Sequence, residues 1–268
     1  MTFRHAMCNE AFAEWPFAAA CRAIRKAGYT GIEIAPFTLS DDPVHLPAGR
    51  RRELRETILS EDLTFAGLHW LMVAPKGLHL TTSDAGLRRQ SWEHLLGLVD
   101  LCADLGPGGV MVLGSPGQRG TTCGLTPEEA TRHLVGGLSE LAPHAAECGV
   151  TILLEALPAS QCDVVQTLDE AASIGPTLFD VHNAIDEREP HAALAERHFD
   201  AIRHVHLNEL DGRHCGTGGY DYKPVLEVLA RRGYTGWLSL EAFDFTPGPE
   251  RIATESLRYI EMEIAGIS

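Results

Sequence analysis

The run Gly149-Val-Thr-Ile-Leu-Leu-Glu-Ala-Leu-Pro158 constrains this chain more than any other stretch. An unbroken apolar segment stopped by proline predicts a fully buried strand, and its last inward residue, Glu155, then stands at the mouth of whatever the strand helps to build. Thr177-Leu-Phe-Asp180, Ile202-Arg-His-Val-His206 and Trp237-Leu-Ser-Leu-Glu241 repeat the pattern, each closing on an acid or an imidazole. Four ligand-type side chains at four strand ends, separated by helical stretches, predict a metal site at the C-terminal face of a parallel barrel.

The rest of the chain fits that frame. Strand patterns fall at 3–8, 31–35, 64–70, 109–113, 149–158, 177–180, 201–207 and 236–242. Helical patterns fall at 16–26, 46–60, 87–105, 126–148, 167–174, 190–198, 223–232 and 250–264. Strict alternation favours a parallel sheet, and eight units favour its closure. The expected class is α/β, a single (β/α)8 TIM barrel over residues 1–268, and the 268 residues match the roughly 250 of such a barrel. The loop 71–84 is long for its type and is expected to fold over the site; a second glycine-rich loop follows at 114–124.

Charge and cysteine usage narrow the function. A net charge of -15, from 37 acidic against 22 basic residues, argues against a nucleic-acid partner. No segment has the apolar length of a membrane span and the first residues lack a secretory pattern, so the expected location is the cytoplasm, with no membrane partner. The seven cysteines, at 8, 21, 102, 123, 148, 162 and 215, never stand in Cys-x-x-Cys spacing and read as reduced packing residues.

Glu155, Asp180, His206 and Glu241 offer three carboxylates and one imidazole, a mostly hard donor set. It suits one divalent ion, Mn²⁺ or Mg²⁺ first and Co²⁺ or Zn²⁺ after them. The competing reading of any one acid is a helix cap or a surface ion pair. Four together at successive strand ends favour the metal.

Leu153-Leu-Glu-Ala, Phe179-Asp-Val-His-Asn, His204-Val-His-Leu-Asn, Gly216-Thr-Gly-Gly-Tyr-Asp-Tyr and Leu238-Ser-Leu-Glu-Ala-Phe occur in this order through the C-terminal half. They resemble the sugar phosphate isomerase/epimerase superfamily with the xylose-isomerase-like barrel, which includes ketose 3-epimerases and the family 2 apurinic endonucleases. The N-terminal half resembles it mainly in its β/α pattern and in Gly67-Leu-His69. The resemblance implies that Glu155, Asp180, His206 and Glu241 are the metal ligands, with Glu155 and Glu241 also the acid/base pair. It implies substrate contacts from His69 at the end of strand three, from His182 or its rival Asn183 after Asp180, and from Arg213 after strand seven. Many members carry a histidine where Asn183 stands, and Arg213 is one position late.

Three residues rest on weaker patterns. Trp70 is a candidate to stack on a sugar face or to fill the core. Glu33 either holds a sugar hydroxyl or balances Arg25 or Lys26. His204 shares the parity of His206 but lies a layer deeper, so it is expected to be structural. Gly216-Thr-Gly-Gly is either a phosphate cradle or a plain connector.

The expected function is that of a metal-dependent isomerase of carbohydrate metabolism, acting on a free or phosphorylated ketose by proton transfer next to a carbonyl, with 3-epimerisation ahead of aldose/ketose isomerisation. The alternatives are a metal-dependent dehydratase or lyase of a keto-polyol and a non-catalytic sugar-binding barrel. An apurinic endonuclease fits poorly, because strand four ends in Leu113-Gly-Ser-Pro without an imidazole. The expected partner is a small carbohydrate, with a homo-oligomer left open.

Overall fold

The computed structural model describes residues 2–122 and 124–267. Eight strands close into a barrel: β1 Arg4–Cys8, β2 Gly31–Ile34, β3 Thr64–Leu68, β4 Val110–Leu113, β5 Thr151–Leu154, β6 Thr177–Asp180, β7 Ile202–Leu207 and β8 Trp237–Leu240. Each pairs in parallel with the next, and β8 returns to β1 through Met7 opposite Leu240. Helices α1 Phe17–Ala27, α2 Ala48–Ser60, α3 Ala85–Leu105, α4 Pro116–Arg119, α5 Pro127–Glu147, α6 Leu168–Ile174, α7 His191–Arg197, α8 Lys223–Arg232 and α9 Pro249–Ala265 occupy the connections. Parallel pairing puts every strand's C-terminal end on one rim, so the residues just past β5, β6, β7 and β8 face one another.

The strand pleat sorts side chains into two cores. Met111, Leu113, Leu154 and Phe179 join the large cluster between sheet and helices, while Val110, Val112, Leu153 and Leu178 meet inside the barrel. Trp237 packs with Ala6 and Ala66 as a further cluster. On β5 the next inward position after Leu153 is Glu155, and on β6 the next after Leu178 is Asp180.

Local chemistry sets the helix starts. Thr126 and Thr167 each close a capping box, with Glu129 and Glu170 respectively, and the Asp84 carboxylate accepts from the Gly86 and Leu87 amides. Gly28 and Gly233 end α1 and α8 in the left-handed region.

Several boundaries differ from the sequence expectation. The strand expected to reach Trp70 stops at Leu68, because Trp70 takes φ 50° and leaves the ladder. The strand expected over 149–158 spans only Thr151–Leu154, and its pairing with β6 is limited to Leu154 opposite Thr177. The 114–124 loop contains α4, which no apolar period announces. The described cysteines, at 8, 21, 102, 148, 162 and 215, are free thiols, and Cys123 lies outside the described residues. No described helix is long and apolar enough to cross a membrane.

Gly67 is a close-packing point between β3 and β4. A Cβ there meets the carbonyl oxygen, amide and side chain of Val110. Backbone cannot yield as a side-chain tip can, so Gly67→Ala should cost about 1–3 kcal/mol. Gly49 in α2 has open space around it, and Gly49→Ala should instead add about 0.5–1 kcal/mol. Urea or thermal unfolding of the two variants should move in opposite directions.

Candidate metal and active site

Asp180 and His206 are register partners on β6 and β7, and Glu155 and Glu241 stand one residue past β5 and β8. One ligand atom from each of the four lies within 4.8 Å of all the others, and all four residues are buried. His206 Nδ1 is 3.1 Å from Glu241 Oε2, 3.4 Å from Asp180 Oδ2 and 3.9 Å from Glu155 Oε1.

The orientation of His206 comes from beneath. Its Nε2 is 3.1 and 3.3 Å from the two oxygens of Glu33, which is fully buried and also takes His204 Nε2 at 2.8 Å. An ionised carboxylate only accepts, so His206 carries a proton on Nε2 toward Glu33 and presents Nδ1 to the three acids, where it would offer a lone pair to a bound ion. Both His206 Nδ1 and Glu155 Oε1 are buried without a hydrogen-bond partner. Two unpartnered polar atoms in a buried ring of carboxylates are unfavourable as they stand, and a cation would satisfy both. The residues present therefore fit a divalent ion.

The titration directions carry the same message. Burial, then the charges of Asp180 and Glu241, push Glu155 up to about 8. Burial also raises Glu241, over the opposing pull of His206. Asp180 falls below its usual range, because the His206 contact and the Asn183 amide outweigh burial. Burial would lower His206, but Glu33, Glu241 and Asp180 overcome it and hold the imidazole well above its ordinary value. The cluster demands positive charge; in the bare protein a proton on His206 is the least that answers.

The site opens on a cavity of about 890 Å³. Of the residues expected at the substrate, His69, Trp70, His182 and Asn183 line it together with Glu155 and Glu241. His69 Nε2 is 2.6 Å from Glu10 Oε2, and His182 Nδ1 donates to the Leu210 carbonyl at 2.7 Å. Asn183 sends its amide to Asp180 Oδ1 at 2.8 Å. Trp70 holds φ 50°, an uncommon conformation for a bulky residue.

Two expectations are corrected. Glu33 neither reaches the cavity nor balances Arg25 or Lys26; it lies a layer below the mouth, where imidazoles from the far side of the barrel bond to it. Arg213 is folded back on its own turn, its Nε and Nη2 each 2.8 Å from Asp211 Oδ2, and faces a separate surface depression with Asp244 and Arg251. His204 is buried on Glu33, in the deeper layer expected of it.

Other site residues had no reading. Asn208, directly after β7, accepts from the His182 amide at 2.8 Å and points its side-chain nitrogen at Asp180. Its place after the His-Val-His-Leu run was the available signal. Glu209 takes the Gly216 and Tyr220 amides at 2.7 and 2.9 Å, so the protein's own carboxylate sits against the glycine-rich loop. Arg119, fully buried in α4, donates from Nη1 to the carbonyls of Leu113 and Glu155 at 2.9 and 2.7 Å, and from Nη2 to those of Val164 and Val165. Gly114 leaves room for the Glu155 carboxylate, which any Cβ there would strike.

Residues 21–262 match the family model described as xylose isomerase-like TIM barrel. Inosose dehydratase from Yersinia enterocolitica is 29% identical over 162 residues, covering 49% of this chain and 54% of that protein. The chain thus spans about half the length of that relative. Fructoselysine 3-epimerase from Shigella flexneri is 24% identical over 243 residues, covering 84% of this chain and 85% of its own. Among solved structures, 3-keto-D-glucoside 4-epimerase from E. coli superposes with a TM-score of 0.83 at 18% identity, over 97% of this chain and all of that one.

Mn²⁺ added to chelator-stripped protein should raise the thermal midpoint, and Asp180→Asn should abolish the shift. Glu33→Gln, which touches no cation itself, should weaken binding about 10–100-fold by releasing the His206 ring. Below about pH 8 the Glu155 carboxyl holds a proton that the ion must displace, so affinity should rise with pH and then level off. Calorimetric titration at several pH values checks both.

Proposed function

We propose that this chain, which belongs to the xylose isomerase-like TIM barrel family, is a divalent-metal-dependent sugar epimerase that moves a proton at the carbon beside a carbonyl, with 3-epimerisation of a ketose as its reaction. One observation carries the reading. Three buried carboxylates and an imidazole with an unpartnered nitrogen converge at one point on the wall of a cavity of about 890 Å³.

The fitting ion is Mn²⁺ or Mg²⁺, held by Glu155, Asp180, His206 and Glu241. When bound, it supplies positive charge beside the substrate oxygens on which negative charge develops as the neighbouring C–H bond breaks. Everything else falls to the chain. Glu155 comes from the β5 side of the rim and Glu241 from the β8 side, so one carboxylate can take the proton from one face of the carbon while the other returns a proton to the opposite face. The net change is inversion at that carbon, with no atom gained or lost.

Burial and like charge hold both Glu155 and Glu241 above the ordinary carboxylate range, which suits groups that must gain as well as lose a proton. Glu33 keeps His206 turned, Asn208 and the Asn183 amide keep Asp180 turned, and Arg119 ties the end of β5 to β4. His69 on Glu10, and His182 on Leu210, offer polar groups to the substrate from fixed positions. The likeness to the Shigella flexneri fructoselysine 3-epimerase supports this choice of reaction.

A second reading is dehydration of a keto-polyol, favoured by the match to inosose dehydratase over about half of each chain. It begins with the same proton removal and ends with loss of water from the next carbon.

Incubation with Mn²⁺ and a ketose panel in D₂O should place deuterium on the carbon next to the carbonyl, read by NMR. Glu155→Gln and Glu241→Gln should each reduce exchange by at least about 10³-fold while the fold and cooperative unfolding persist. Products 18 Da lighter would support the dehydratase, by mass spectrometry on the order of one water lost. No exchange and no mass change on any substrate would remove both.

A further inference from the structure

The mouth of the cavity is not built for a small, phosphorylated sugar. Among the described residues lining it there is no lysine or arginine, while Glu14 adds negative charge beyond Glu155 and Glu241, and the carboxylates of Glu10 and Asp211 are engaged by His69 and Arg213. The nearest candidate cation, Arg213, is folded onto Asp211 and faces another depression. Arg119 is sealed beneath the rim on four carbonyls. Two amides of the glycine-rich loop, those of Gly216 and Tyr220, are taken by Glu209, whose carboxylate would repel a phosphate from that loop. A phosphoryl group entering here would meet carboxylates and a few hydroxyl, amide and imidazole groups, with no described lysine or arginine to balance its charge.

The outer wall is aromatic. Trp70 meets Phe243 edge to face at 6.3 Å between centroids, and Phe243 meets the His182 ring at 5.1 Å. Phe243 and Phe245 line the cavity yet remain 37% and 41% exposed, and Phe37 and Val73 extend the apolar surface. Exposed aromatic rings gathered at the mouth of a polar site mark a surface that a ligand covers. The volume also lies toward the upper end of the about 300–1,000 Å³ of pockets that enclose drug-sized ligands, more than a six-carbon sugar fills.

We propose that the site takes an unphosphorylated keto-sugar carrying an aryl-type substituent, with the sugar oxygens at the Glu155–Asp180–His206–Glu241 end and the aryl group on Trp70, Phe243 and Phe245. This rests on the proposed function for its sugar half only. The aromatic wall contacts the substituent, and the ring of acids excludes the phosphate ester.

Two measurements separate the claims. Inert phenyl β-D-glucopyranoside and methyl β-D-glucopyranoside need only bind, so calorimetric titration of each into the Mn²⁺-loaded protein tests the aryl surface whether or not any exchange occurs. Phenyl should bind at least about tenfold tighter than methyl, and Phe243→Ala/Phe245→Ala should bring the ratio close to one. Equal affinities, or no binding of either, would overturn the aryl claim. In the deuterium assay a 2-ketose carrying a benzyl ether at C1 should exchange at C3 with a kcat/KM at least about tenfold above the free ketose, and ketose phosphates should fall below it. Preference for a phosphate ester, lost in Arg213→Ala, would also overturn the proposal and restore Arg213 as a phosphate contact. Exchange on no substrate, alongside tight phenyl binding, would refute the epimerase reading and leave the aryl surface standing.

Discussion

Like charge in a confined, poorly solvated space is the constraint on which this molecule turns. Glu155, Asp180 and Glu241 cannot all remain ionised around one point unless positive charge joins them, because burial strips away the water that would otherwise screen them. Barrel closure forces them together, since parallel strands deliver every C-terminal end to one rim. The hydrogen bonds from two imidazoles to Glu33, one layer down, keep the answer directional: they commit one nitrogen of His206 downward and leave the other for the acids.

Much of this was legible because it is written in local pattern. The four rim residues follow short apolar runs, and a run that ends on a charge has few ways to bury itself other than as a strand with its last side chain at a mouth. Glu33 was legible only as an inward acid on β2. Its partners lie 171 and 173 residues away in sequence and meet it only because the sheet closes on itself. Arg213 misled for the opposite reason, since an aspartate two residues earlier captures it in a turn whose geometry the residue types alone leave open. Arg119 had no signal, for an arginine after proline and glycine reads as surface, and its burial depends on four carbonyls from β4, β5 and the following loop.

The two halves of the cavity obey different physics. At the inner end the directions are set by side chains beneath the mouth, His206 by Glu33 and Asp180 by Asn208. At the outer end the surface is ring edges and faces, tolerant of position and favouring any flat apolar group. A fold that hosts many chemistries separates the two tasks in this way, with bond-making groups on strand ends and recognition on the loops beyond them.

Arg119 grips main-chain oxygens at 113, 155, 164 and 165, so these bonds do not depend on the side chains there. As far as that junction goes the Glu155 carboxylate is dispensable, although the metal site and the buried packing of Leu113, Val164 and Val165 fix those side chains on other grounds. The arginine is not dispensable there, and a transplanted 114–124 segment from another barrel has to bring its own guanidinium to the same spot.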